Sequence, residues 1–300
     1  MWQKLLAGIQ TGDIKSIAKA ISFVENDQPG YEELLQSLQT NEKIKIIGIT
    51  GPPGAGKSTI TDGLIAEYIK QEKKVAVLCV DPSSPFNLGA VLGDRIRMSN
   101  WYTHPDVFIR SLATRGSMGG LHPKIIEIAD LLRSSKFDII IIETVGVGQS
   151  EIEIAGLADT TVVVVVPEAG DEVQTMKAGL MEIADIFVVN KSDRPGADLF
   201  VKNLMQMFAP AFHNHEQEVP VIKTIATQQT GIAELAEKID LVQEKLISSD
   251  RKFWLLAEKA YHLLQQQKMQ GINKQDLKKE IENNYSKENF NLYRFVKERG

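Results

Sequence analysis

Seven short apolar runs in the middle of the chain predict β-strands. Several are hydrophobic from end to end rather than alternating, which is typical of strands buried on both faces of a parallel sheet. The predicted strands are residues 44–50, 75–81, 107–112, 138–144, 161–167, 186–190 and 221–227.

Between these runs, apolar residues recur at helical spacing. The predicted helices are residues 58–70, 123–134, 174–183, 198–207 and 232–246. Alternating strands and helices predict an α/β fold, a doubly wound and mostly parallel sheet with right-handed crossovers. Ligands of such sheets collect at the carboxyl ends of the strands.

The two ends of the chain lie outside this alternation. Residues up to about 40 predict two short helices by their apolar spacing, and the chain after Ser249 predicts helix throughout. An apolar stripe over residues 253–264 must pack either on the chain's own core or on a partner chain. We expect an N-terminal helical extension (1–43), a central α/β domain (44–248) and a C-terminal helical extension (249–300).

Composition narrows the class of protein. The chain has 300 residues, with 34 Lys and Arg against 39 Asp and Glu, a formal charge of −5. General nucleic-acid binding requires a more basic chain. The aliphatic runs fall far short of the roughly 20 residues that span a bilayer, and the N-terminus has no signal-peptide pattern. A single cysteine, Cys79, suits a reducing compartment. We expect a cytoplasmic protein that binds neither membranes nor nucleic acids.

Residues 51–58 match the phosphate-binding pattern G-x-x-x-x-G-K-[ST], between a predicted strand and a predicted helix. Its glycines let backbone N–H groups converge on phosphate oxygens at a helix N-terminus. Lys57 should reach the β- and γ-phosphates, the Ser58 hydroxyl should bind Mg²⁺, and Thr59 should donate to the α-phosphate. The predicted phosphate-binding residues are Gly51, Pro52, Pro53, Gly54, Ala55, Gly56, Lys57, Ser58 and Thr59.

A second motif, N-K-x-D at residues 190–193, indicates that the base is guanine. The Asp193 carboxylate can accept from both N1–H and the exocyclic amine of guanine, whereas adenine would leave that carboxylate unpaired. The Lys191 stem can cover the base, and Asn190 can tie this loop to the phosphate loop. Backbone contacts to the guanine oxygen are expected at the end of the next predicted strand, from Ile225, Ala226 and Thr227. The predicted ligands are GTP and GDP.

Acidic residues at other strand ends predict the metal site and the γ-phosphate site. Glu143 ends the most aliphatic strand and can hold Mg²⁺ through water, and the Gly146 N–H can sense the γ-phosphate. Asp81 ends another strand, where it can orient a water or bind Mg²⁺, and Asp94 is a third acidic candidate. The catalytic candidates are Lys57, Asp81, Glu143 and Gly146, and the metal candidates are Ser58, Asp81, Asp94 and Glu143.

The residue after Gly146 is Val147, where many small GTPases carry a glutamine that orients the attacking water. Intrinsic hydrolysis should therefore be slow unless Gln149, Asp81 or a partner supplies the missing group. Arg115 either adds positive charge near the phosphates or is a surface arginine in a glycine turn.

Together these motifs resemble the methylmalonyl-CoA mutase-associated GTPases, cobalamin chaperones of the SIMIBI class of P-loop NTPases. The resemblance covers residues 44 to about 195, and the stretch E-T-V-G-V-G-Q-S-E at 143–151 is its most specific part. The flanking helices fit the family's layout but carry little motif content. The other matching segments are residues 51–59, 81–85, 92–95, 115–120, 170–172 and 190–193.

The resemblance implies phosphate and Mg²⁺ roles for Lys57, Ser58, Asp81, Asp94 and Glu143, and a further switch segment at residues 170–177. It also implies a homodimer formed through C-terminal helices. The implied task is to gate delivery of adenosylcobalamin to a cobalamin-dependent acyl-CoA mutase and to protect that enzyme. The sequence departs from the family at residues 225–227, Ile-Ala-Thr, where the family usually reads Ser-Ala.

Three alternatives stay open. A nickel-insertion GTPase needs thiolate or imidazole ligands, and this chain has one cysteine and one close histidine pair, His213 and His215. A protein-targeting GTPase would normally add a Met-rich or basic RNA-contacting domain, and the 8 methionines form no cluster. A scaffold that binds nucleotide without turnover would keep the same motifs.

Replacing Asp193 by Asn should abolish the preference for GTP and favour xanthine nucleotides. The amide presents a donor where guanine needs an acceptor, and xanthine carries a carbonyl there. Competition of GTP, XTP and ATP against a fluorescent nucleotide measures the change. Equal binding of ATP and GTP by the unmutated protein would contradict the guanine assignment.

Overall fold

The computed structural model describes residues 1–81, 98–114, 121–146, 153–169, 183–208, 219–246, 251–269, 272, 274–285 and 290–297. The predicted helix at 174–183 lies outside these residues except for its last position. The chain forms two compact units, Met1–Leu255 and Leu256–Gly300. The division into three parts inferred from the sequence stays a prediction.

All seven predicted strands are present, and they form one sheet in which every pairing is parallel. The strand order is β3-β2-β4-β1-β5-β6-β7, so β5, β6 and β7 follow outward on one side of β1, whereas on the other side β4 returns to lie between β1 and β2. This confirms the doubly wound α/β fold and brings the carboxyl ends of all strands to one edge. The strands are β1 Lys45–Thr50, β2 Val75–Asp81, β3 Val107–Ala113, β4 Ile139–Glu143, β5 Thr160–Val165, β6 Ile186–Val189 and β7 Val221–Lys223.

The helices flank the sheet in the first unit and make up the described part of the second. None of the helices among the described residues is long and apolar enough to cross a membrane. The helices are α1 Trp2–Thr11, α2 Ile14–Glu25, α3 Tyr31–Gln36, α4 Lys57–Lys70, α5 Ile125–Arg133, α6 Ala197–Phe208, α7 Ile232–Leu246, α8 Arg251–Lys268, α9 Lys274–Tyr285 and α10 Leu292–Lys297.

The core explains why the central strands read as continuous apolar runs. Every residue of β2, β4, β5 and β6 is buried. Helices α4 and α7 cover one face of the sheet, where Leu64 and Leu235 join a cluster with residues of β1, β2 and β4. A strand covered on both faces loses the alternation of apolar and polar residues because no side chain faces water.

The predicted number of N-terminal helices and the predicted end of the last strand were wrong. The N-terminal segment contains three helices rather than two, because α3 is only six residues long and too short for its periodicity to register. The last strand ends at Lys223 and not at 227. Beyond it, Ile225 pairs with Thr230 in an isolated antiparallel bridge, and the chain forms a 3₁₀ turn at Ala226–Gln228.

The N-terminal helices contact the α/β body through a partly buried ion pair. Glu25 at the end of α2 forms an ion pair with Arg110 of β3, which also donates to the Ser22 hydroxyl at 3.1 Å. His122 lies 3.7 Å from the same carboxylate. The Glu25 side chain is only 9% exposed, so removing Arg110 would leave a nearly buried carboxylate without this partner, and the pair helps to hold α2 on the body.

Candidate functional site

A cavity of about 390 Å³ opens at the carboxyl ends of the central strands. It lies where β1 runs into α4 and where β4 ends, so it occupies the edge of the sheet at which ligands of this fold collect. Its lining residues come from three segments that are distant in sequence. They are Pro53, Gly54, Gly56, Lys57, Ser58, Thr59, Glu143, Thr144, Val145 and Lys191.

The loop between β1 and α4 has the backbone conformation that phosphate binding requires. Gly56 has a φ of 95°, and α4 begins at the next residue. A Cβ at Gly56 would lie 2.3 Å from the side-chain nitrogen of Asn190, so a larger residue could not occupy this position. The first residues of α4, Lys57, Ser58 and Thr59, line the cavity, and the dipole at this helix N-terminus favours an anion there.

The Lys57 side chain folds back over this loop. Its ammonium donates to the carbonyl oxygens of Gly51 at 2.8 Å and Pro52 at 3.1 Å, and the side chain is buried. These hydrogen bonds hold the cation at the cavity wall, in the position from which it can reach a phosphate.

Glu143, at the end of β4, is held by two hydroxyl groups of α4. Ser58 donates to Oε1 at 2.6 Å, and Thr61 donates to Oε2 at 3.0 Å. All three side chains are buried. Sequence reasoning missed Thr61, although its spacing of three residues from Ser58 on a helix was a usable signal.

The donor set fits a magnesium ion. The Ser58 hydroxyl and the Glu143 carboxylate are hard oxygen donors in contact, and Mg²⁺ is usually bound by one or two carboxylates with phosphate and water. Asp81 is buried at the end of β2, the strand next to β4. Within the described residues, no group of three or more His, Cys, Asp or Glu side chains could hold a metal ion by itself.

The Asn190 side chain joins the phosphate loop to the segment after β7. Its amide nitrogen donates to the Ala55 carbonyl at 2.8 Å. Its amide oxygen accepts from the Thr224 hydroxyl and from the Ala226 N–H, both at 3.1 Å. The expected link between Asn190 and the phosphate loop is therefore present, and Thr224 is a second residue that sequence reasoning missed.

The rest of the N-K-x-D loop lies close to the phosphate loop. Lys191 has a φ of 57° and donates from Nζ to the Gly54 carbonyl at 2.7 Å. The Ser192 N–H donates to the Thr224 carbonyl at 3.0 Å. Asp193 is exposed, two residues beyond Lys191 of the cavity wall. This places the predicted base-reading carboxylate on a short, internally bonded turn.

Arg194 fastens the same turn to the end of β5. It forms an ion pair and a hydrogen bond with Glu168, and this hydrogen bond lowers the pKa of the Glu168 carboxyl. Both side chains are half exposed, so the pair adds little to stability, but it links the turn to a neighbouring strand end.

The expectation for residues 225–227 needs a correction. Ile225, Ala226 and Thr227 lie in a bridge and a 3₁₀ turn rather than at the end of a strand. The Ala226 N–H donates to Asn190 here, so this group already has an acceptor within the protein.

Several sequence candidates lie outside the described residues. They are Asp94, Arg115, Gln149, residues 170–177, His213 and His215.

Comparison with known proteins identifies the family. The family model for the methylmalonyl Co-A mutase-associated GTPase MeaB matches residues 17–282. GTPase ArgK of Escherichia coli is 32% identical over 297 residues, covering 95% of this chain and 86% of that protein. A fused isobutyryl-CoA mutase of Geobacillus kaustophilus is 35% identical over 237 residues, covering 74% of this chain and 22% of that protein.

One solved structure supports the same conclusion. The crystal structure of a LAO/AO transport system kinase superposes with a TM-score of 0.69 at 26% identity, covering 91% of this chain and 85% of that one. The chain has a guanine-nucleotide motif beside a phosphate loop, and the family model matches most of the chain. It therefore belongs to the MeaB family of methylmalonyl Co-A mutase-associated GTPases.

Proposed function

We propose that this GTPase is a chaperone for a cobalamin-dependent acyl-CoA mutase, gating adenosylcobalamin delivery to that enzyme and protecting it. One observation carries the proposal. A segment similar to this chain makes up about a fifth of a protein named as a fused isobutyryl-CoA mutase. Joining two activities in one chain keeps them at high effective concentration, which is useful when they act on each other. The family description points to the same class of partner.

The chemistry at the site follows from its charged groups. We propose that phosphate oxygens of GTP replace the Gly51 and Pro52 carbonyls as partners of the Lys57 ammonium. A bound Mg²⁺ would neutralise charge on the β- and γ-phosphates. Ser58, Glu143 and Asp81 are the residues proposed to hold it. Asp94, outside the described residues, stays a further candidate, and Asp81 also a candidate for orienting the attacking water.

The contact between Gly146 and Lys57 is the proposed nucleotide sensor. Gly146 has a φ of 83°, and a Cβ there would lie 2.3 Å from the Lys57 ammonium and 2.5 Å from the Gly51 carbonyl oxygen. The backbone at Gly146 therefore lies directly against the phosphate loop. We propose that its N–H contacts the γ-phosphate and that this contact is lost after hydrolysis.

Gly146→Ala should lower GTP turnover by about tenfold or more, because the added methyl group displaces Lys57 or the backbone beside it. Gly196→Ala is the matched control. Gly196 has nearly the same φ, 85°, but a Cβ there would meet no atom of the described residues within 4 Å. Both variants carry the same backbone strain, and only the first disturbs the site. Single-turnover hydrolysis measures the difference, and equal losses in both variants would contradict the sensor role.

A mutase should be retained in a nucleotide-dependent manner. The immobilised protein is loaded with GTP, a non-hydrolysable GTP analogue, GDP or no nucleotide. It is then exposed to purified methylmalonyl-CoA mutase or isobutyryl-CoA mutase. We expect retention of one mutase to differ between nucleotide states, and single-turnover hydrolysis, slow in the isolated protein, to accelerate when it is added.

The Lys57→Ala variant, which lacks the phosphate-binding cation, serves as control and should lose the nucleotide dependence. If neither mutase is retained in any nucleotide state and neither changes the hydrolysis rate, the chaperone proposal is wrong. Absence of turnover under all conditions would favour the scaffold alternative instead.

We also propose that the chain forms a homodimer through its C-terminal helices. Phe253 and Trp254 of α8 are 71% and 69% exposed, and further along this helix Tyr261 and Leu264 are also exposed. Large apolar side chains at this density on one helix are typical of an interface. The resemblance to the family supports the same assignment.

Sedimentation equilibrium at micromolar concentration should give twice the 33.3 kDa mass of the chain. The double variant Phe253→Ser and Trp254→Ser should sediment as a monomer, because it removes two large apolar contacts. Leu199→Ser, which changes a 63% exposed leucine on α6, should leave the dimer intact. A monomeric unmutated protein would contradict the proposal.

A further inference from the structure

Thr61 occupies a place in the site that its sequence motif does not explain. It lies just beyond the phosphate-loop pattern, in the first turns of α4, and it is completely buried. We propose that Thr61 is a positioning residue, whose hydroxyl orients the Glu143 carboxylate for magnesium binding. The inference rests on the proposed magnesium site and names one further residue on which that site depends.

The geometry is that of a two-point clamp. Ser58 and Thr61 are three residues apart on α4 and therefore project from the same face of the helix. Ser58 contacts Oε1 of Glu143 at 2.6 Å, and Thr61 contacts Oε2 at 3.0 Å. Each carboxylate oxygen thus has its own donor, and both donors come from one rigid helix. A carboxylate fixed at both oxygens cannot rotate about its last side-chain bond.

The contribution of Thr61 becomes larger when a metal is bound. A hydroxyl that serves as a metal ligand presents its oxygen to the ion, so the orientation of Ser58 must then satisfy the ion as well as Glu143. Thr61 is not a proposed metal ligand, so a bound ion does not restrict the orientation of its hydroxyl. A carboxylate has about four lone-pair positions, so accepting from Thr61 leaves room for the ion or its water ligands.

The Thr61 hydroxyl has a second possible acceptor, which competes with Glu143 for its proton. The Thr61 hydroxyl also lies 3.0 Å from the Lys57 carbonyl, one helical turn earlier. Its single proton can be donated fully to only one of the two oxygens. A charged carboxylate is the stronger acceptor, so the proton favours Glu143 whenever that group is ionised.

Loss of the hydrogen bond from Thr61 would also be unfavourable for the Glu143 carboxylate. Glu143 is buried, and a buried carboxylate oxygen that loses a donor is poorly solvated. The carboxylate would then turn toward whatever donor remains and leave the orientation suited to the ion. Partners that hold a metal ligand in place typically change metal affinity about 10- to 100-fold when removed.

The test compares three variants that differ by a few atoms. Thr61→Val keeps the shape and removes the hydroxyl, and Thr61→Ser keeps the hydroxyl and removes a methyl group. Thr161→Val is the matched control, because the Thr161 hydroxyl is buried in β5 and has no hydrogen-bond partner among the residues that the structure describes. The readout is the Mg²⁺ concentration that half-maximally slows dissociation of a fluorescent GDP analogue. The affinity for the same analogue in EDTA and the melting temperature without nucleotide are measured alongside.

We expect Thr61→Val to raise the half-maximal Mg²⁺ concentration by about tenfold or more. Thr61→Ser should stay within about threefold of the unmutated protein, because the second hydrogen bond to Glu143 survives. Thr161→Val should leave the Mg²⁺ dependence unchanged. The affinity for GDP in EDTA should be the same in all four proteins, which a general distortion of the phosphate loop would not allow.

An unchanged Mg²⁺ midpoint in Thr61→Val overturns the inference, as does an equal shift in Thr61→Ser, or an equal loss of GDP affinity in EDTA. If Thr61→Val does not fold, Thr61→Ala decides by the same measurements. These outcomes would not contradict the proposed GTP and magnesium site. An unmutated protein that shows no Mg²⁺ effect at all overturns the magnesium site itself, and the inference with it.

Discussion

The hydrogen bonds of the Asn190 side chain are the interaction on which the rest of the site depends. One carboxamide reaches the phosphate loop through Ala55 and the segment after β7 through Thr224 and Ala226. Because both ends of the amide are used, its orientation is determined, and so is the distance between the two halves of a nucleotide site. Asn190 can come this close to the phosphate loop because Gly56 has no side chain in the space that Asn190 occupies.

A second constraint is that the phosphate charge must be balanced locally. Residues 251–300 hold 11 Lys and Arg against 6 Asp and Glu, so the chain's charge of −5 leaves −10 on residues 1–250. The body of the protein therefore does not attract a polyanion as a whole. The groups that can supply the attraction are Lys57, the N-terminus of α4 and the magnesium ion proposed at Ser58 and Glu143, and all of these residues line one cavity.

Much of the fold was predictable because its signals are local. Continuous apolar runs indicated buried parallel strands, and six of the seven ended within about two residues of their observed limits, the usual uncertainty of a boundary. The failures have local causes too. The six-residue α3 is shorter than two helical turns, and the segment after Lys223 kept an apolar, β-favouring composition while its backbone turned back on itself.

The sequence by itself determined the fold class, the order of the motifs and the residue types expected to bind a guanine nucleotide. Each of these depends on spacing along one segment or on a pattern that strands and helices impose locally. Only the tertiary structure decided which side chains share a hydrogen bond across the sheet edge. Thr61 meets Glu143 and Thr224 meets Asn190 because neighbouring parallel strands and α4 bring their ends together over separations of 82 and 34 residues. No local pattern encodes such a contact, since it depends on the strand order and register that the folded sheet establishes.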